Sequence, residues 1–253
     1  MRTNSNVAAV PTSGVGAAGA LIIVATLAAG LFFDLLTDIA GQTALSAAVW
    51  LALFHVLRGA SHAERRALMA CLVIATLGEM ALSLGLGLYT YRLGNIPMFV
   101  PPGHVLMLLL GLSLARIMPH AVAYAIFGCA ALYSLAAAVT GVDTLGVALF
   151  LALAVSALAM PKQRTLYAST FVLSLALELY GTWLGNWNWA RQVPATALVT
   201  TNPPAAAGAF YCILDAAVAS VSMLLARLWL APAAVSRAHK RFDLDQGDAA
   251  GLE

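Results

Sequence analysis

Two glutamates stand in surroundings where a carboxyl is costly. Glu79 lies in Gly78-Glu79-Met80-Ala81-Leu82 and Glu178 in Leu175-Ala176-Leu177-Glu178-Leu179, both within long apolar runs. An ionisable group at such a place costs at least ~2.5–3.5 kcal/mol in a membrane helix, which makes it a functional candidate by default. Each glutamate heads the same series of residue types. A glycine follows (Gly87, Gly185), then an aromatic-x-aromatic step (Tyr89-Thr90-Tyr91, Trp187-Asn188-Trp189), an arginine (Arg92, Arg191) and a proline-rich connection (Pro97, Pro101 and Pro102; Pro194, Pro203 and Pro204). Two further acids sit in apolar context: Asp215 in Tyr211-Cys212-Ile213-Leu214-Asp215, and Asp34 in Phe32-Phe33-Asp34-Leu35, with Asp38 one turn on.

A carboxyl kept neutral in a dry cavity is a general acid, so Glu79, Glu178, Asp215 and Asp34 form the candidate catalytic set. The plain alternative is that each acid only binds a donor on a neighbouring helix and glues the bundle. Tyr89, Tyr91, Trp187 and Trp189 are either an interfacial aromatic belt or the wall of a site, closing a lid or facing a cationic or polyene ligand. At the α-helical rise they stand about 15 Å along the axis from their glutamates. Arg92 and Arg191 offer a paired clamp for an anionic headgroup. They reach the glutamates only if their loops fold inward. His104, after Pro101-Pro102-Gly103, is a proton relay or partner for Glu79, or a hydrogen-bonded structural residue at a helix start. Asn202, beside Pro203-Pro204, and Tyr211 complete the substrate-binding candidates. His55 and His62 are seven apart without an HxxxH or His-rich pattern. No metal and no cofactor are expected: there is no Walker loop, no Rossmann glycine pattern, no GxSxG and no lysine within a span.

The elements that must position these residues are membrane helices. Of 253 residues, 62% are hydrophobic and 9% charged, against about a quarter charged in soluble domains. Such a chain cannot cover a water-facing surface, and a net charge of +2 excludes nucleic acid as a partner. Cys71, Cys129 and Cys212 are dispersed within apolar runs and read as free thiols. The predicted fold is all-α, a polytopic bundle of about eight spans near 17–37, 42–58, 67–88, 103–118, 120–140, 143–160, 165–185 and 205–230. A disordered arm covers 1–16, helices 1–4 form a first repeat over 17–118, helices 5–8 a second over 119–232, and 233–253 is a polar cytoplasmic tail. With the N-terminus in the cytoplasm, only Arg92 and Arg191 of the 13 basic residues fall outside, so both termini are expected inside. Four helices is an even number, so the two repeats run in parallel, related by an axis along the membrane normal. The expected place is a bacterial inner (cytoplasmic) membrane, with the acid–aromatic–proline loops on the outer side.

The elements Glu178-Leu179-Tyr180-Gly181-Thr182 and Gly87-Leu88-Tyr89-Thr90-Tyr91, followed by a proline segment, resemble motifs of integral-membrane carotenoid-modifying proteins of the bisanhydrobacterioruberin-hydratase type. That family's Pro-Phe before the glycine has no counterpart in either copy. The resemblance implies acid-catalysed hydration or cyclisation at an isoprenoid double bond, with Glu79 or Glu178 as proton donor and aromatic rings sheltering a carbocation. The expected partners are the lipid bilayer and a membrane lipid or isoprenoid substrate. Two other functions suit the same residues: a proton-coupled carrier of a small molecule or lipid built from parallel repeats, and a non-catalytic lipid-binding subunit.

Overall fold

The structure is a computed structural model that describes residues 14–224. The arm over 1–13, the end of the last expected span and the tail at 233–253 lie outside the described residues, as do Arg2, Arg227, Arg237, Lys240 and Arg241.

Eight helices follow one another: α1 (Ala17–Leu36), α2 (Ile39–Gly59), α3 (His62–Glu79), α4 (Val100–Ala115), α5 (His120–Val139), α6 (Leu145–Ala159), α7 (Arg164–Leu184) and α8 (Ala209–Leu224). α3 runs on into a π-helical turn, Met80–Gly85. Four helices are long and apolar enough by themselves to cross a membrane: α1, α2, α3 with its π-helical turn, and α5. Their outward faces carry Leu21, Leu51, Leu77 and Leu132, a surface suited to lipid rather than water. The protein is a membrane protein. α4 and α6 have 16 and 15 residues, or ~24 and ~22 Å at the helical rise, short of the ~30 Å hydrocarbon core. Between α6 and α7 the chain bends by 111° through a short turn, Pro161–Gln163.

Local chemistry sets several of these boundaries. Ser61 and Glu64 form a capping box at the start of α3: the Ser61 hydroxyl accepts from the Glu64 amide, and the Glu64 carboxylate accepts from the Ser61 amide. Asp38 accepts from the amides of Ala40 and Gly41 at the start of α2, satisfying two of the orphan donors there. Asp38 is thus a cap, and does not join Asp34 in a site. α4 is the axis of the molecule. Residues 105–112 are buried all round, as befits an apolar helix enclosed by others, and α4 packs against α7, α3, α1 and α2. α5 packs against α6 and α7.

Between the helical halves lies one element that helix periodicity does not announce. β1 (Tyr89–Tyr91) and β2 (Trp187–Trp189) pair antiparallel, Tyr89 opposite Trp189, Thr90 opposite Asn188 and Tyr91 opposite Trp187. The Arg92 amide donates to the Asn186 carbonyl at 2.8 Å and the Ala190 amide to the Leu88 carbonyl at 2.9 Å. The period of two places all four aromatics on the buried face and leaves Thr90 and Asn188 exposed. A two-stranded ribbon is marginal alone; this one is held by what its aromatics bond beneath it.

Candidate functional site

Glu79 closes α3. The π-helical turn that follows ends with the Leu86 amide on the Ala81 carbonyl, and Gly87, at φ +63°, takes a left-handed conformation that a side chain would resist. The chain therefore turns back instead of extending the helix. Tyr89 and Tyr91 donate their hydroxyls to the same Glu79 oxygen, Oε2, at 2.8 and 2.7 Å. Burial first, and Glu79 beside them, push both phenols well above the ordinary tyrosine range, so both remain protonated donors. The Ser83 hydroxyl secures the arrangement on the Tyr89 carbonyl at 3.0 Å.

Glu178 is held in the same manner by different chemistry. α7 ends at Gly185, also left-handed at φ +78°, and β2 returns over the helix end. The indole N–H groups of Trp187 and Trp189 donate to Glu178 Oε2 at 2.8 and 3.1 Å. Gly181, one turn after Glu178, makes the approach possible, because a Cβ at that position would collide with the Trp187 six-membered ring. The aromatic steps are therefore not a separate layer about 15 Å from the acids, as continued helix would put them. They reverse onto the acids and bond them.

The remaining carboxylate oxygens differ. Glu79 Oε1 lies 3.5 Å from His104 Nε2. His104 Nδ1 is 3.0 Å from the Val100 carbonyl, which only accepts, so Nδ1 carries a hydrogen and Nε2 is the nitrogen turned to Glu79. The imidazole lies flat on the Tyr211 ring, 4.7 Å between centroids and 9° between planes. His104 therefore stands beside Glu79 and is anchored at Nδ1 to the backbone of its own helix. Glu178 Oε1 accepts no hydrogen bond from any described residue.

Both glutamates, His104, Tyr211 and the four strand aromatics border one cavity of about 380 Å³. Its other walls are apolar: Leu27 and Leu31 from α1, Ile74 and Gly78 from α3, Phe99 and Val100 at the head of α4, Leu177 from α7, and Phe210, Ile213 and Leu214 from α8. Two wall residues, Ala81 and Ile213, are exposed on the outer surface of the bundle. Trp189 stacks on Phe210 at 5.7 Å and packs on Tyr89 at 4.7 Å.

Four of the sequence candidates do not border this space, and Arg92 makes a fifth. Asp34 is 1% exposed and is the centre of a clamp. Gln42 Nε2 donates to its Oδ1 at 2.9 Å, Asn186 Nδ2 to its Oδ2 at 2.7 Å, and the Arg92 guanidinium stands 3.7 Å from Oδ1. Arg92 also donates to the Asp34 and Thr37 carbonyls, and Asn95 Nδ2 to Gln42 Oε1. Asp34 and Arg92 thus tie α1 to the ends of both strands. Arg191 donates to the carbonyls of Val142 and Thr200, each at 3.1 Å, so the two arginines hold loops and form no clamp together. Asn202 accepts from the Trp189 amide at 3.0 Å and donates to Asn188, supporting β2 from outside. Asp215 is buried on α8 with Oδ2 lacking a hydrogen-bond partner among the described residues.

Sequence reasoning missed Asn186, Gln42 and Asp143. Asp143 is fully buried and accepts from the Gly146 and Ala205 amides and the Thr201 hydroxyl, which fixes the connection leading to α8. Asn186 stood inside the repeated motif, but a polar residue beside an aromatic step carries no pattern that names its partner. Among the described residues, no group of three His, Cys, Asp or Glu side chains is placed to hold a metal ion. No protein-family model, curated protein or solved structure matches the chain.

Proposed function

We propose that this protein is an intramembrane enzyme that transfers a proton to a double bond of a polyisoprenoid, carotenoid-like or other lipid substrate, leading to hydration or cyclisation. The observation that carries the reading is the convergence of two carboxyls on one apolar, aromatic-walled cavity, each with Oε2 occupied by two donors from its own strand. Those donors leave Oε1 as the atom from which a proton can be delivered. In hydration, a carboxyl Oε1–H protonates one alkene carbon and the other becomes a tertiary cation. Water adds to that carbon, and its surplus proton returns to the carboxylate, so the sum is one water added across one double bond. In cyclisation, a second double bond of the chain attacks the cation instead, and the ring then returns a proton to the carboxylate, so the sum is an isomerisation. Aromatic rings are the suitable wall for such a cation because their faces attract positive charge without adding to it as a nucleophile. His104, with Nε2 facing Glu79 Oε1, is placed to reload that oxygen.

The proposal includes the architecture in which this occurs: eight spans as two parallel four-helix repeats, both termini cytoplasmic, in a bacterial inner membrane, with β1 and β2 towards the outer side. The distribution of basic residues supports the sidedness, and the equivalent bonding of Glu79 and Glu178 supports the repeat. The test is expression in a host that accumulates carotenoid precursors, with pigment and lipid analysis for the wild type, Glu79→Gln and Glu178→Gln. The expected outcome is a new product in the wild type, reduced at least 100-fold in either variant, the scale of a lost general acid. An unchanged profile across a broad precursor panel overturns the reading.

A second reading has its own supporting observation. One acid from each half of the chain meets in a single cavity, the arrangement expected of a proton-coupled carrier built from parallel repeats. It requires access to the acids from both membrane faces. Cysteine-accessibility labelling that reaches the cavity from one face only rules it out.

A further inference from the structure

We infer that the cavity between β1, β2 and α8 is a binding site for an organic ammonium ion, a small tertiary or quaternary amine carrying apolar substituents. Charge comes first. The cavity holds two carboxyls, Glu79 and Glu178, while both nearby arginines are engaged elsewhere, Arg92 on Asp34 and Arg191 on the Val142 and Thr200 carbonyls. Among the described residues, His104, with Nε2 turned to Glu79 Oε1, is the basic group on the wall. The carboxyl atom best placed for a ligand is Glu178 Oε1, because Oε2 already receives both indole N–H groups and Oε1 receives none from the described residues. An ammonium is the ligand such an atom calls for, since the described residues supply it no donor.

The walls make the same choice. Seven aromatic side chains border the space, from both strands, the head of α4 and α8, and aromatic faces attract ammonium groups within about 6 Å of a ring centroid. Trp189 packs on both Tyr89 and Phe210, and Tyr89 and Trp189 are held by hydrogen bonds to the acids, so the wall is preformed and little ordering is needed on binding. Size limits the ligand. At a molecular share of about 30 Å³ per small heavy group, 380 Å³ admits a body of about a dozen non-hydrogen atoms. A longer apolar tail has a way out past Ala81 and Ile213, which are both wall and outer surface.

The inference rests on the cavity and not on any turnover, so its failure and that of the proposed reaction are separable. The test measures binding of benzyltrimethylammonium to the purified full chain in nonionic detergent by calorimetry. Its carbon isostere neopentylbenzene has the same shape without the charge and serves as the comparison. The expected result is binding at least tenfold tighter for the ammonium, lost in Glu178→Gln. The advantage is expected to be retained in Trp183→Phe, whose indole is 80% exposed on the outside of α7. Equal affinity for the two probes, or an ammonium preference that survives Glu178→Gln, overturns the inference. Precursor turnover by a protein that shows no ammonium preference would overturn the inference and leave the acid-transfer reading standing. Where Glu178→Gln fails to fold, Trp189→Leu keeps the carboxyl and removes the ring: an unchanged preference there also overturns the inference.

Discussion

At the scale of single residues, the site depends on how closely a ring can approach a helix. Trp187 reaches Glu178 only because position 181 has no Cβ. Gly181→Ala is therefore expected to push the indole away and remove one of the two donors on Oε2. A hydrogen bond to a charged group contributes about 1.5–3 kcal/mol, so product formation in the precursor-accumulating host should fall roughly 10–100-fold while the protein still folds. Gly128→Ala on α5, a change away from the cavity at a position with open space around its added methyl, is the control for helix substitution in general. A Gly181→Ala protein with wild-type product yield would show that the Trp187–Glu178 bond does not matter to the chemistry. The tyrosine and tryptophan pairs are not interchangeable in this respect. A phenol both donates and accepts, whereas an indole only donates, so in the proposed reaction only the Glu79 side has aromatic partners able to take up a proton.

At the scale of elements, the connection that matters is the Asp34 clamp. α1 contributes one carboxylate, and the ends of both strands reach it through Arg92 and Asn186, with α2 joining through Gln42. Removing the carboxylate takes the acceptor from Gln42 Nε2 and the counter-charge from Arg92, and leaves Arg92 and Asn186 with backbone carbonyls alone as acceptors. Arg92 is about a quarter exposed, so part of its charge is answered by solvent, and Asp34→Ala is expected to cost about 2–3 kcal/mol. A thermal unfolding scan in detergent checks this, with Asp38→Ala beside it. That cap on α2 is expected to cost about 1 kcal/mol. If the two changes lower the midpoint equally, Asp34 has no special part in joining the strands to the bundle.

At the scale of the whole molecule, the two halves meet in the β1–β2 ribbon and in the packing of α4 on α7. Each half owns a complete acid with its two aromatic donors, yet the cavity needs walls from both. Co-expression of 1–118 and 119–253 as separate chains is therefore expected to reconstitute a complex that co-purifies, while either half alone is lost to degradation. Independent stability of one half would show that the central contact is not what holds the molecule together. The membrane reading belongs to this scale as well, because apolar composition and outward-facing leucines concern the surface as a whole and not any one helix.

The amino-acid sequence by itself determined the class and the elements. An apolar run long enough for a helix declares itself without its neighbours, so each described helix overlaps an apolar run that hydropathy picks out. α3 nevertheless begins five residues earlier than expected and breaks into a π-helical turn after Glu79, and the expected end of the last run lies outside the described residues. The glutamates, the aromatic steps and His104 were legible as a site for a related reason: a carboxyl in an apolar run is anomalous before any folding is considered. What the tertiary structure decided was which polar groups meet. The distance of the aromatic steps from the acids depended on a chain reversal at Gly87 and Gly185. A glycine in a sequence permits such a reversal but does not announce it. Asp34, with the same apolar context as Glu79, became a strut and not a wall of the cavity because Arg92 and Asn186, 58 and 152 residues away, fold onto it. Burial makes an acid look alike in any sequence, and only its partners, chosen by long-range packing, separate a fastening from a reactive group.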